Sequence, residues 1–411
     1  MMTNSQSSRR AIVVGGSLGG LFAANLLLRA GWQVKIFERV PDALAGRGAG
    51  IVTHPELLDA LLAAGVDVDE SLGVQVTERV TFDRDGTTSA KRELPQLLTA
   101  WGKMYHVLHS ALPGEFYHSG HPVKAVENLP DHARVILDDD SVHEADLVVA
   151  ADGFRSAIRQ QLMPDVQLQY AGYVAWRGLV DELDLSTTSR DALFDRFAFC
   201  LPPHEQMLGY PVAGAGNSTA VGERRYNFVW YRATREDPEL SNMLTDDSGK
   251  CWNNGIPPGL IRKAVLEDMH QAARDLLAPA FSEVVERTQQ PLFQPIYDLE
   301  VSRMNQGRIA LLGDSAFVAR PHCGMGVAKA AGDAMALVSA LSELDDVPLA
   351  LSRYSAERTP VGAAIIQHAR HLGAYMQAQL QSAHEQEMAE RYRTPEAVMR
   401  ETAVPPFTHQ P

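Results

Sequence analysis

The feature that most constrains this chain is a glycine-rich turn near its start, Gly15-Gly16-Ser17-Leu18-Gly19-Gly20. It sits between an apolar run, Ala11 to Val14, and a stretch with helical spacing, Leu21 to Arg29. A short apolar run of this kind reads as a buried parallel strand. Gly31 suits the helix C-cap, and Val34 to Phe37 reads as a second buried strand ending at Glu38. The first 38 residues therefore form one βαβ unit. Glycines permit the tight turn and close helix–strand packing, and the helix start offers unpaired N–H groups and a positive dipole end to a pyrophosphate. Ser17 stands where the GxGxxG pattern has its second glycine; it is small, and its hydroxyl can donate a hydrogen bond. Glu38 follows Gly20 by 18 residues. That is close to the spacing of about 20 for an acid that binds ribose hydroxyls. A dinucleotide site is the reading, and an ordinary glycine-rich turn is the bland alternative.

Two later segments have the same logic. Asp152-Gly153-Phe154-Arg155-Ser156-Ala157-Ile158-Arg159 follows the apolar run Leu147–Ala150. Asp152 and Ser156 could simply cap a helix, and Arg159 could be a solvated helix charge. Gly313-Asp314 ends another apolar run, Ile309–Leu312, and leads to Pro321-His322-Cys323-Gly324-Met325-Gly326. Asp314 thus falls at the C-terminal end of a buried strand, the ligand-bearing edge of an open α/β sheet. The helix that the alanine-rich text predicts over 326–343 would start at Gly326 and stabilise negative charge there.

The remaining text is organised around these turns. Asp85-Gly86 signals a hairpin within strand-like alternation over 74–94, and 101–112 reads as an amphipathic helix. Residues 169–232 are rich in Tyr, Trp and Val, which is sheet composition. Residues 233–258 are expected to loop out, 259–289 to be helical, and the charged text from 344 to about 402 helical again. The expected fold class is α/β: a Rossmann-like cofactor domain over 1–75, 101–168 and 296–343, a mixed β-sheet substrate domain over 76–100 and 169–295, and a C-terminal helical segment over 344–411.

With 37 basic and 51 acidic residues the net charge is −14, which argues against a nucleic-acid partner. The three cysteines, Cys200, Cys251 and Cys323, fit no zinc or redox spacing and suit a reduced cytoplasmic compartment. No metal site is expected: there is no HExxH, and His106 and His109, one helical turn apart, read as surface or packing residues. No apolar run reaches the roughly 18 residues a membrane span needs. Arg9-Arg10 mimic a twin-arginine signal, but the glycines that follow and the lack of a cleavage site favour a folded strand–turn–helix.

The three turns, in order and at this spacing, resemble a class A flavoprotein aromatic hydroxylase of the para-hydroxybenzoate hydroxylase fold, over roughly residues 10–375. Ala175-Trp176-Arg177-Gly178, Gly209-Tyr210-Pro211-Val212, the run from Arg224 to Arg232, and Arg320-Pro321-His322 are similar to the 2,6-dihydroxypyridine 3-hydroxylase group. Met325 and Ala328 stand where the wider family has glutamine and asparagine, so any flavin contact there must come from backbone or from elsewhere. Ser17 departs from the wider motif and is at home in the narrower group.

The resemblance implies a cytoplasmic homodimer that holds FAD and uses NADH or NADPH and O2 to hydroxylate an electron-rich aromatic or N-heteroaromatic ring through a flavin C4a-hydroperoxide. It assigns cofactor contacts to Gly15, Ser17, Leu18, Gly20, Glu38, Arg39, Arg47, Asp152, Arg159, Asp314, Gly324, Met325 and Gly326. His322, on the loop beside the flavin, is the candidate for taking a ring hydroxyl proton, and Tyr210 is the second candidate from the sheet side. The structural alternatives are a loop histidine bonded to backbone and, for Trp176, Tyr210 and Trp230, ordinary sheet core. Rival functions are an FAD-dependent oxidase or dehydrogenase on the same fold, a phenolic-acid hydroxylase, and a binding protein that has kept the fold without the chemistry.

Overall fold

The computed structural model describes residues 9–41, 50–380 and 382–406. The chain opens with β1 (Arg10–Val14), α1 (Leu18–Arg29) and β2 (Gln33–Glu38), and the two strands pair in parallel. After β3 (Gly50–Val52) and α2 (Pro55–Ala63) comes the hairpin of β4 (Val74–Phe82) and β5 (Thr88–Ala100). Its turn is Asp85-Gly86: Gly86 has a φ of 87°, and the Asp85 carboxylate accepts from the Thr87 amide at 2.9 Å. Then follow α3 (Trp101–Ser110), β6 (Tyr117–Ser119), and the meander β7 (Val123–Asn128), β8 (Ala133–Leu137), β9 (Val142–Ala145). The apolar β10 (Leu147–Ala150) runs into α4 (Ala157–Leu162).

The strand-rich middle is β11 (Gln169–Asp181), α5 (Thr187–Leu193), β12 (Arg196–Cys200), β13 (Glu205–Val212) and β14 (Arg225–Ala233). The short α6 (Ser241–Met243), then α7 (Lys263–Leu276) and α8 (Pro279–Arg287), lead to β15 (Leu292–Glu300). The chain closes with β16 (Asn305–Gln306), β17 (Ile309–Leu311), β18 (Phe317–Val318), α9 (Gly326–Glu343), α10 (Val347–Gly373), α11 (Ala383–Tyr392) and α12 (Pro395–Glu401).

Two large sheets result. One has the order β16-β17-β10-β1-β2-β6, with β17, β10, β1, β2 and β6 parallel. The other, nine-stranded and mixed, has the order β18-β15-β11-β14-β13-β12-β4-β5-β3. This is the α/β fold with C-terminal helices that the sequence led us to expect. The mixed sheet also takes in residues 50–52 and all of 292–300, further than the expected divisions at 76 and 295. Short apolar strands read alike in either sheet, and only the pairing partner tells them apart. Residues 187–193, within the strand-rich text, are helical, and 241–243, expected to loop out, form a helical turn.

The period of two along the mixed sheet sorts its aromatic residues between two cores. Tyr173, Phe197, Tyr210 and Tyr231 face the cofactor sheet, whereas Trp176, Phe228 and Trp230 face α7 and α8. The tryptophans are therefore sheet core. Trp176 packs on Phe293 at 5.0 Å between ring centres, and Trp230 donates its indole N–H to Glu205 at 2.8 Å.

Candidate active site

Because β1, β10 and β17 are parallel neighbours, the three turns that follow them leave the same sheet edge. The packing there has no room for side chains. Gly15 has a φ of 103°, and a Cβ on it would overlap the Ala151 carbonyl at the end of β10. A Cβ on Gly20 would strike the Gly15 carbonyl itself. Ser17 is the N-cap of α1, yet its hydroxyl makes no capping bond. It lines a cavity of about 390 Å3 together with Gly15, Glu38, Arg39, Asp152 and Arg155. Leu18 is buried in the core, so only its backbone can serve a ligand. The buried Glu38 accepts from the Gly16 amide at 2.7 Å and the Val40 amide at 2.9 Å. Each carboxylate oxygen has a second lone pair for a ribose hydroxyl. Arg39 lies exposed at the rim, and Arg47 falls outside the described residues.

The second turn is tied to the third. Asp152 accepts from the Ile158 amide at 3.3 Å through one oxygen, while the other is buried without a partner. Burial pushes its pKa upward. Arg159 is 1% exposed and so is no solvated charge. It donates to the carbonyls of Phe154 at 2.8 Å and Ser315 at 3.1 Å, joining the Asp-Gly turn to the Gly-Asp turn. Its Nε is buried and unbonded.

Asp314, half exposed, pairs with Lys329 of α9 at 3.3 Å, and Lys329 also donates to the Phe317 carbonyl. Lys329 was missed in the sequence. The available signal was a single lysine in the first turn of an otherwise alanine-rich helix, where burial of a charge demands a partner.

A second cavity, of about 310 Å3, lies between this edge and the mixed sheet. Trp101 borders both cavities. The loop before α9 forms one wall. Gly324 has a φ of 64°, and α9 starts at Gly326 with its free amides at the cavity. Met325 is buried and does not line the cavity, so it too can offer only backbone. A larger polar cavity of about 800 Å3 opens on the far side of the buried Arg320–Asp298 pair. None of the three turns borders it.

The sheet side of the second cavity carries Arg177, Tyr210 and Tyr231, and the loop side carries His322. The His322 ring is 4.2 Å from the Tyr231 ring centre, and its Nε2 bonds the Tyr173 hydroxyl at 2.7 Å. Its Nδ1 is buried without a partner. Burial, then the nearby Arg320 and Arg177 charges, hold the His322 pKa well below its usual value, so the ring is neutral. This weakens the expectation that it takes up a proton; a neutral Nδ1 can still hydrogen-bond a ring. Burial raises the Tyr210 phenol, which stays protonated and can only donate or accept a hydrogen bond. Among the described residues Arg177 has no acidic partner, and its Nε is buried without a hydrogen bond.

Comparison with known proteins gives this arrangement its class. Residues 264–369 match the family described as FAD binding domain, and residues 170–298 the one described as FAD binding domain-like. The 2,6-dihydroxypyridine 3-monooxygenase of Paenarthrobacter nicotinovorans is 30% identical over 382 residues, 91% of this chain and 93% of that one. The solved 2,6-dihydroxypyridine-3-hydroxylase of Arthrobacter nicotinovorans aligns with a TM-score of 0.85 at 28% identity, over 92% of this chain and 96% of that one. A salicylate hydroxylase solved as a substrate complex shares the fold, with a TM-score of 0.72 at 20% identity over 98% and 99% of the two chains. The chain belongs to the FAD-dependent aromatic-ring monooxygenases. The glycine cradle at Gly15 and Gly20, the unbonded oxygen of Asp152 and the open start of α9 all fit FAD.

Proposed function

We propose that this enzyme hydroxylates a ring that already carries an ionisable hydroxyl, a hydroxypyridine such as 2,6-dihydroxypyridine, with NAD(P)H and O2 as co-substrates. The observation that carries this reading is Arg177: a cation in the cavity wall with no acid beside it among the described residues. A partly buried charge left unpaired is costly, so a ligand that brings negative charge is favoured there. A ring hydroxyl that ionises beside Arg177 supplies it, and the anion is the more electron-rich and more reactive form of the ring.

FAD, when bound, receives two electrons from NAD(P)H and activates O2, so that one oxygen atom becomes the new C–OH and the other leaves as water. The protein's part is placement. Glu38, Ser17 and the start of α1 would hold the adenosine diphosphate end of FAD; Asp314 and the start of α9 would hold the flavin end. Arg177 stabilises the ring anion, His322 Nδ1 and the Tyr210 hydroxyl orient it, and the surrounding apolar wall excludes water. A phenolic-acid substrate would also satisfy Arg177, through its carboxylate.

A panel of hydroxypyridines, phenols and phenolic acids, scored as product formed per NAD(P)H consumed, tests the reading. Product close to one per NAD(P)H with a hydroxypyridine is expected. If hydroxypyridines only accelerate peroxide release while a phenolic acid is hydroxylated, the substrate assignment falls; if no ring is hydroxylated and NAD(P)H is not consumed, the oxidase alternative returns.

A further inference from the structure

Arg79 of β4 is 0% exposed and has no carboxylate partner among the described residues. Burying a guanidinium without a counter-charge is expensive unless its donors are satisfied. Here every donor bond goes to the far end of the chain or to a side chain that also holds it. The Arg79 Nη1 donates to the carbonyls of Met399 at 2.7 Å and Thr402 at 2.6 Å, the C-terminal and negative end of α12. Its Nε and Nη2 donate to Gln96 at 3.1 and 2.6 Å, and Gln96 in turn donates to the Ala403 carbonyl at 3.2 Å. The guanidinium lies 4.8 Å from the ring centre of Phe197, itself part of the cavity wall.

What the clamp holds is part of the active site. Past α12 the chain turns at Ala403, a non-glycine residue with a φ of 56°. That turn lets the Ala403 amide donate to the His322 carbonyl at 2.6 Å and brings Thr402 and Ala403 into the cavity wall. A Cβ on Gly324 would come within 3.2 Å of Ala403, so the loop before α9 lies directly under this segment. One stretch of backbone thus both lines the cavity and holds the loop that carries His322.

We propose that residues 395–406, clamped by Arg79, form a positioning strap whose task is to seal the substrate end of the cavity against water while oxygen is transferred. The coupling arm of the test rests on the hydroxylase reading above; the other arms do not. Arg79→Met in the full-length, FAD-loaded enzyme removes the clamp. Arg79→Lys keeps the charge but cannot reach two carbonyls and Gln96 at once. Ala403→Gly relaxes the left-handed turn and withdraws one methyl from the wall, and is compatible with the observed φ, so it folds.

Hydrogen exchange should rise about tenfold or more in peptides covering 320–326 and 396–404 of Arg79→Met, with β1 and β10 still protected. Quenching of FAD fluorescence by acrylamide should rise in step. With 2,6-dihydroxypyridine, NAD(P)H oxidation by the two Arg79 variants should continue at roughly the parent rate, and the peroxide share should rise severalfold, more for Arg79→Met than for Arg79→Lys, and more for either than for Ala403→Gly. Faster exchange with unchanged coupling and unchanged quenching would make the strap a structural tie only and overturn the proposal. Should Arg79→Met not fold, Ala403→Gly decides by the same quenching and coupling measurements. Should the parent not hydroxylate the ring at all, the hydroxylase reading fails on its own, and the strap stands or falls on whether acrylamide reaches the flavin more readily in the variants.

Discussion

The cofactor edge and the substrate cavity are neighbours built in opposite ways. At the edge, three turns after β1, β10 and β17 meet because their strands are parallel neighbours, and the site is made mostly of backbone: glycines where a Cβ has no room, and helix starts with free amides. In the cavity the site is made of side chains, Arg177, Tyr210, Tyr231 and His322, drawn from β11, β13, β14 and the loop before α9, with Thr402 and Ala403 also in its wall. The first kind of site is intolerant of added atoms. The second, on the function proposed above, depends on the unpaired charge of Arg177.

The largest expected effect lies at the edge. In the Gly20→Val variant the new side chain would be driven into the Gly15 carbonyl, which must move out of the turn. Overpacking of this kind costs about 1–3 kcal/mol before any loss of ligand contacts. FAD affinity should therefore fall by about a hundredfold or more, while the mixed sheet survives. The flavin-to-protein absorbance ratio after gel filtration, read beside near-ultraviolet circular dichroism, measures it. A variant that emerges yellow and fully loaded would mean the turn has slack, and the contrast between the two regions would collapse.

A smaller and more selective effect is expected in the cavity. Arg177→Met keeps the length of the stem and removes the charge. FAD content should be unchanged, while the dissociation constant for 2,6-dihydroxypyridine rises roughly tenfold to a hundredfold, the worth of one charge-assisted bond of about 1.5–3 kcal/mol. The pH dependence sharpens the point: the parent should prefer the ring monoanion, and the variant should lose that preference. Equal affinity and equal pH profiles in the two proteins would remove Arg177 from the substrate.

The same contrast explains what the sequence could reveal. The turns are local: Gly15, Asp152 and Asp314 each follow directly on an apolar strand, and a helix starts within a few residues of the first two, so the elements around them were legible. Arg159 was legible as a residue but not as a tie between two turns, because its partner carbonyl on Ser315 is 156 positions away. Trp176 and Trp230 could not be assigned to the outer face of the sheet until strand register was known, since a shift of one residue exchanges the faces. Lys329, Arg79 and Ala403 acquire meaning only when α9, β4 and the end of the chain are packed together. Their sequence neighbourhoods are those of ordinary helices and strands.

The smallest expected effect concerns charge in the cavity at low pH, and it rests on His322. In the folded protein its pKa is held well below the usual value by burial and by the Arg320 and Arg177 charges. In the unfolded chain it returns to about 6.5. Between those two values the unfolded state binds a proton that the folded state refuses, so stability falls as pH is lowered below about 6.5 and stops falling, for this group, beneath the folded pKa. At pH 5.5 the loss from one such histidine is at most about 1.4 kcal/mol, one unit below its unfolded pKa. His54, which burial also shifts downward beside the Gly324 carbonyl, adds a loss of the same sign. His322→Gln keeps a polar side chain opposite the Tyr173 hydroxyl and cannot titrate. The drop in melting temperature between pH 7.5 and 5.5 should therefore be smaller in His322→Gln than in the parent, by roughly 1–2 °C at most for a chain of 411 residues. The remaining drop belongs to His54 and to other groups. An identical acid-side drop in both proteins would mean that His322 can hold a proton in the folded cavity, which would restore it as a candidate base and add a second positive charge beside Arg177.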